Sequence, residues 1–235
     1  MYLSFFKRGH NRALILFMIC LFMPSFLFAQ LYRRIEADFS IKEKIDTNKK
    51  RLTMGRVYYD INEQKIVYRI DFPSPKTVVI TDSIIYQIKN NKILSRSAAH
   101  NIESFSIFHL SLKGNLPYYG LKDSPYNLVN VEKTDSMVVS TWKLPKKLVT
   151  KQGKIMLAQK DRLLHGLVTF DKKGNILSKQ LFENYTKIRE LTFPKKVVQF
   201  LHKKNGVQIK LVTYQNIKIN SQGHEDLYDY TIPVN

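Results

Sequence analysis

The stretch IDFPSPKTVVITDSIIYQI, residues 70–88, decides how this chain folds. It reads as the end of one strand, a proline-containing turn, a second strand, a short polar turn and a third strand. Pro73 and Pro75 withdraw backbone donors and so end the strand before them. In that strand Ile66, Tyr68, Ile70 and Phe72 fall on one face. Ile61-Asn62-Glu63-Gln64 turns it back onto the preceding RLTMGRVYYD.

Working outward, two-residue periodicity continues through most of the chain, with turn residues about every ten positions, the pattern of an antiparallel all-β sheet or barrel. In LVTFDKKGNILSKQLF, Asp171 and Gly174 turn the chain between two strands. Near the C-terminus, VQIKLVTYQNIKIN places Val207, Ile209, Leu211, Thr213, Ile217 and Ile219 on one face. The residues between them include Lys210 and Lys218, so a one-residue slip would turn lysines inward and the register is expected to be well specified. Asn205-Gly206, just upstream, is the pair a type I′ hairpin turn prefers.

One segment has helical spacing. NIESFSIFHLSLKG, residues 101–114, sets Ile102, Phe105, Phe108 or His109, and Leu112 three and four residues apart, with Asn101 as N-cap and Gly114 as stop. The loop after it, NLPYYGLKDSPY, carries Tyr118 and Tyr119 and is placed where a lid would lie. A sheet this large has too little helix to cover it, which leaves sheet-on-sheet packing, closure, or a cavity filled by a ligand.

Lys7, Arg8 and Arg12 precede an uncharged run from Ala13 to Ala29, the pattern of a secretory signal peptide, with cleavage expected after Ala29. Met18 and Ile19 are too bulky to precede a lipid-modified cysteine, so Cys20 belongs to the hydrophobic run. Residues 30–235 are expected to form a single domain without a cysteine, which excludes a disulfide framework, a thiolate metal site and a cysteine nucleophile. That portion holds 35 basic and 19 acidic residues, a net charge of +16. The bases are spread as lysine pairs at strand ends and the chain is read as exported, so nucleic acid is not an expected partner. Solvated strand ends and turns are the plain reading of the charge, and attraction to an anionic membrane surface is the sharper one.

The usual catalytic signatures are missing: no G-x-S-x-G, H-E-x-x-H, phosphate-cradling glycine loop or C-x-x-C. The histidines His100, His109, His165, His202 and His224 show no ligand spacing, and Asp82, Asp171 and Asp226 sit in turns. No metal, cofactor or enzymatic activity is expected.

GRVYYDINEQKIVYRIDFPSPKTVVITDSIIYQI resembles the early strands of the periplasmic outer-membrane lipoprotein carriers, the LolA/LolB-like family. Gly55 matches the opening glycine, Pro73 the proline, Thr81-Asp82-Ser83 the turn and Tyr86 the aromatic. TFDKKGNIL is similar to the family's hairpin, and YQNIKINSQGHEDLYDYTIP, with Tyr228, Tyr230 and Pro233, to its final unit. In this chain QLYRRIEADFSIKEK leaves scarcely a turn for the family's long N-terminal helix, and Asp60, Ile61 and Asn62 stand where an arginine-proline pair is usual.

The resemblance implies a mainly β fold, an incomplete antiparallel β-barrel with one or two short helices as lid or plug. It implies a periplasmic, monomeric, non-enzymatic carrier that shields acyl chains of lipoproteins or related lipids on the way to the outer membrane, with transfer partners at both membranes. Ile66, Tyr68, Ile70, Val78, Ile80, Ile84, Tyr86, Ile209 and Leu211 are the expected lining. Phe105, Phe108, Leu112, Tyr118 and Tyr119 are the expected lid or plug, because a dry void of ~300 Å³ would cost ~7 kcal/mol. An envelope sensor or protein-interaction module on the same fold is the alternative.

Overall fold

The computed structural model describes residues 32–45, 49–99, 105–148, 152–203 and 206–234. The expected signal peptide and the expected cap and turn residues Asn101 and Asn205 lie outside these. The residues from Tyr32 onward cluster as one compact unit.

Thirteen strands dominate it. They are β1 Arg34–Lys44, β2 Lys50–Asp60, β3 Lys65–Phe72, β4 Lys76–Ile80, β5 Ile84–Lys89, β6 Lys92–Ala98, β7 Asn127–Thr134, β8 Met137–Lys143, β9 Gln152–Lys160, β10 Leu163–Asp171, β11 Ile176–Ile188, β12 Leu191–Lys203 and β13 Gly206–Ile219. Two short helices join them, α1 Ile107–Leu112 and α2 Glu225–Tyr228. The order across the sheet is β6-β5-β4-β3-β2-β1-β13-β12-β11-β10-β9-β8-β7. Neighbours pair antiparallel throughout. Hairpins walk the chain from β1 to one edge at β6. Residues 99–126 then carry it to the opposite edge, and hairpins walk it back until β13 closes on β1. The sheet is open and not closed into a barrel, a mainly β architecture with two short helices, as the resemblance implied.

Two faces result. One carries a large cluster that includes Ile35, Val57 and Tyr59 near the middle of the sheet, Leu157, Leu167 and Phe182 further along it, and Phe108, Leu110, Leu116 and Leu121 of the crossing segment. This is the inner face. The outer face carries a smaller cluster of Tyr58, Val67, Val79 and Ile88, covered by Leu227 and Tyr228 of α2. The sequence had suggested helix only at 101–114; α2 is a second, formed where His224 takes a left-handed conformation (φ 55°) and starts a single turn.

Local chemistry explains the boundaries. Ser106 is extended (φ −72°, ψ 149°) and its hydroxyl accepts the His109 N–H at 3.1 Å, so α1 begins there rather than at Asn101. At its end Gly114 adopts φ 69° and the Asn115 N–H donates to the Leu110 carbonyl at 2.8 Å, a Schellman closure. Gly55 is required by crowding: a Cβ there would stand 1.9 Å from the Arg69 carbonyl oxygen, where β3 bulges against β2.

At the far end of β1 and β2, the buried Asp60 carboxylate accepts from Arg33 at 2.9 Å, Arg34 at 2.6 Å and the Asn62 N–H at 2.9 Å. Burial pushes its pKa up, but these three donors overcome that and hold it below 3.8.

Candidate apolar cavity

The site forms where the crossing segment lies on the inner face. Phe108 is 1% exposed. Its ring stacks on Phe193 of β12 at 5.8 Å, meets Tyr214 of β13 edge-on at 5.5 Å, and lies 6.3 Å from Tyr59 of β2. The Tyr59 hydroxyl and His109 Nδ1 are hydrogen-bonded at 2.7 Å, tying the same helix turn to the sheet. Tyr119 stacks on Phe105 and packs on Phe182 of β11, and the Gln159 amide of β9 donates to the Pro117 carbonyl at 2.6 Å.

Hollows remain on either side of α1. One, of about 350 Å³, is lined by Ile66, Tyr68, Ile80, Phe105, Phe108, Tyr119, Val197, Val212 and Tyr214, with Gln180, Gln199 and Lys210 as polar members. The other, of about 570 Å³, lies between the end of α1 and the β9–β10 and β11–β12 turns, with Leu112, Leu116, Leu164, Tyr185 and Leu191 in its wall. The buried Ser111 hydroxyl lines it and lacks a hydrogen-bond partner. Both volumes fall in the range of small-molecule sites.

Burial governs the titration of the lining. It pushes the Tyr68 phenol up to about 12, against a hydrogen bond with Tyr214. It also raises Tyr214 and Tyr119. Lys210 is pulled down by desolvation; Glu43 opposes the shift and Arg51 adds to it. Glu43 is Lys210's cross-strand neighbour on β1, yet its carboxylate is turned to Arg51, whose Nε donates at 2.7 Å.

Of the expected lining, Ile66, Tyr68, Ile70, Val78 and Ile80 do lie on the inner face. Four others do not. Tyr86 packs against the outer cluster, opposite Val79, and Ile84 shares its side of β5. Ile209 and Leu211 face outward beside Leu52 and Lys42. The cause in β13 is a bulge: the pairing with β1 slips between Glu36 and Asp38, and Asn216 takes φ 49° and donates to Asp38 at 2.7 Å. The extra residue resets the alternation, so Lys210, Val212 and Tyr214 point inward with Ile217 and Ile219, while Ile209 and Leu211 point out. The lysine that the alternation placed outside is therefore inside.

The five expected plug residues all lie in the crossing segment. Phe108 is central, Phe105 and Tyr119 border the smaller hollow, Leu112 borders the larger one, and Tyr118 sits under the Lys122 ammonium at 3.5 Å. Lys210, Gln180 and Gln199 were missed. Among the described residues no three His, Cys, Asp or Glu side chains converge as a metal site would need.

No protein-family model and no curated protein matches the sequence. Solved structures share the fold. A LolA superfamily protein from Nitrosomonas europaea matches with TM-score 0.57 at 12% identity, over 83% of this chain and 90% of that one. An outer membrane lipoprotein-sorting protein domain from Vibrio parahaemolyticus gives TM-score 0.58 at 12% identity, over 84% and 89%. A DUF1329 family protein from Desulfovibrio piger gives TM-score 0.59 at 12% identity, over 86% and 91%. The chain thus has the open β-sheet fold of the LolA-like proteins, as the motif order had implied.

Proposed function

We propose that this protein is an exported, periplasmic carrier that shields the acyl chains of lipoproteins or related lipids between the inner and the outer membrane. The observation that carries the reading is the inner face itself: an apolar sheet surface left partly hollow on both sides of a short aromatic helix, on a fold shared with a lipoprotein-sorting domain. Each methylene taken from water gains about 0.8 kcal/mol, so an acyl chain entering beside Ile66, Val197 and Val212 has a strong reason to stay. The same arithmetic makes an empty hollow costly, and Phe108 fills the middle of it. Loading then means that an acyl chain takes the place of aromatic side chains of the crossing segment. A carrier of this kind does no chemistry on its cargo.

Native mass spectrometry of protein isolated gently from the cell envelope tests this. The expected result is a mature chain beginning at Gln30 with bound acyl species. A chain that arrives empty and takes up no fluorescent fatty acid would refute the carrier reading. The alternative, an interaction module, draws support from β7, an edge strand exposed along its length with Leu128, Val129 and Val131 bare; it would show as a co-purifying protein partner and an empty cavity.

A further inference from the structure

The lysines that the sequence scatters along the chain are gathered by the topology at one end of the sheet. Because every neighbour is antiparallel, the connections alternate between two ends. The β1–β2, β3–β4, β5–β6, β8–β9, β10–β11 and β12–β13 connections lie at one end. The β2–β3, β4–β5, β7–β8, β9–β10 and β11–β12 turns lie at the other.

Among the described residues, the first set with its flanking positions holds twelve lysines, including Lys44, Lys50, Lys146, Lys147, Lys172 and Lys173, against one carboxylate, Asp171. The opposite set holds four basic residues, Lys65, Lys160, Arg162 and Arg189, against six acidic ones. Asp171, turned onto the Lys173 and Asn175 N–H groups of its own loop at 2.8 Å, leaves a large surplus of lysine at this end. The basic end also exposes large apolar side chains: Phe72 at 49%, Leu148 at 51% and Ile176 at 41%, on three different connections. Lysines interleaved with bare apolar tips match an anionic bilayer, where ammonium groups meet lipid phosphates and apolar tips enter the acyl boundary.

We infer that this lysine-rich end docks on an anionic membrane surface. The inference is independent of the carrier reading, since the end would bind lipid headgroups whether or not the cavity takes cargo. It adds a direction to that reading, because Lys210 and Arg51 on the inner face lie next to this end.

The test is flotation of the chain beginning at Gln30 with vesicles of phosphatidylcholine alone or mixed with phosphatidylglycerol, at low and high salt. Each lysine near an anionic surface is worth about fivefold in partition, so Lys146→Gln, Lys147→Gln and Lys172→Gln together lower it about a hundredfold. Lys133→Gln, Lys160→Gln and Arg189→Gln, exposed residues away from that end, leave it unchanged. Leu148→Ser weakens binding a fewfold without changing its salt dependence. Binding that ignores phosphatidylglycerol content, or falls equally in both lysine sets, overturns the proposal. So does failure to bind vesicles combined with binding to an acidic protein or a nucleic acid. Trp142 emission confirms that each variant is folded, and fatty-acid titration of the same variants reads the cavity separately.

Discussion

Truncating Phe108 separates a plug from an ordinary core residue, because the two roles predict opposite changes in ligand affinity. Burying a ring of this size is worth up to about 3 kcal/mol. Its three aromatic neighbours, Phe193, Tyr214 and Tyr59, each add about 0.5–1.5 kcal/mol. Phe108→Ala should therefore destabilise the empty protein by about 3–5 kcal/mol, the usual range for such a truncation. Urea unfolding followed through Trp142, the only tryptophan and itself buried, measures this loss. If loading displaces the ring, the ligand entering the variant no longer has to break packing that the truncation has already removed. Should half of about 4 kcal/mol reside in that packing, affinity for a fluorescent fatty acid rises about 30-fold. Stability falls while affinity rises. An affinity that drops in step with stability, or stays at the wild-type value in a folded variant, shows that Phe108 is fixed core and that the plug argument is wrong.

Lys210→Met should raise stability by about 1 kcal/mol, since it replaces an inward, desolvated ammonium by an apolar chain of similar length; calorimetry reads it. The gain depends on pH: burial depresses the folded pKa below 10.5, so the unfolded state holds the proton more tightly. The cost of Lys210 is then full below its folded pKa and fades as pH rises through that value, so wild type gains on the variant along an alkaline titration. Asp60→Asn should cost about 2–3 kcal/mol, less than for a fully buried pair because Arg33 is 43% exposed and can turn to water. Asp60's folded pKa is depressed, so its contribution is complete above the unfolded value of 3.8 and is lost as pH falls through the folded value. The asparagine variant should therefore show a shallower acid unfolding curve, and an unchanged curve would contradict the assignment. Gly55→Ala should destabilise by about 3 kcal/mol, because the clash is with backbone that cannot swing away; a wild-type melting temperature would mean that β3 yields there.

Much of the fold was legible because hairpins are written locally. Ile61–Gln64, the Asp171–Gly174 turn and the strand end before Pro73 each combine turn-forming residues with a break in alternation, and each lies where expected. The faces were less legible, since alternation gives a parity and not a side. In β3 and β4 parity and side agree, so Ile66, Tyr68, Ile70, Val78 and Ile80 share the inner face. In β5 the same apolar alternation belongs to the outer face, because Leu227 and Tyr228 of α2 arrive from far along the chain to cover it. In β13 a left-handed Asn216 inserts one residue, and nothing in YQNIKIN separates that bulge from an uninterrupted strand. Lys210, Gln180 and Gln199 escaped notice for the same reason: a polar residue within an alternating strand is read as outward until the register is known.

The place of the crossing segment on the inner face is a consequence of strand order. β6 and β7 are consecutive in sequence but lie at opposite edges, so the link between them has to travel the width of the sheet. Thirteen strands about 4.8 Å apart span about 58 Å along the sheet. Residues 99–126 reach about 95 Å when extended, and less once α1 and its 3-10 turns are wound. Tied at both edges, the segment cannot leave as a hinged lid would. It has enough spare length to rotate α1 or shift it along the face, and Phe105, Phe108 and Tyr119 move with it. Under the proposed carrier function, cargo entry is an exchange of aromatic rings for acyl chain over a surface that stays covered. Joining α1 to β12 by a disulfide, with cysteines at facing positions whose Cα atoms lie about 4.4–6.8 Å apart, tests this: the locked protein should fold but take up fatty acid only after reduction. Uptake at the same rate in both states would place the cargo elsewhere.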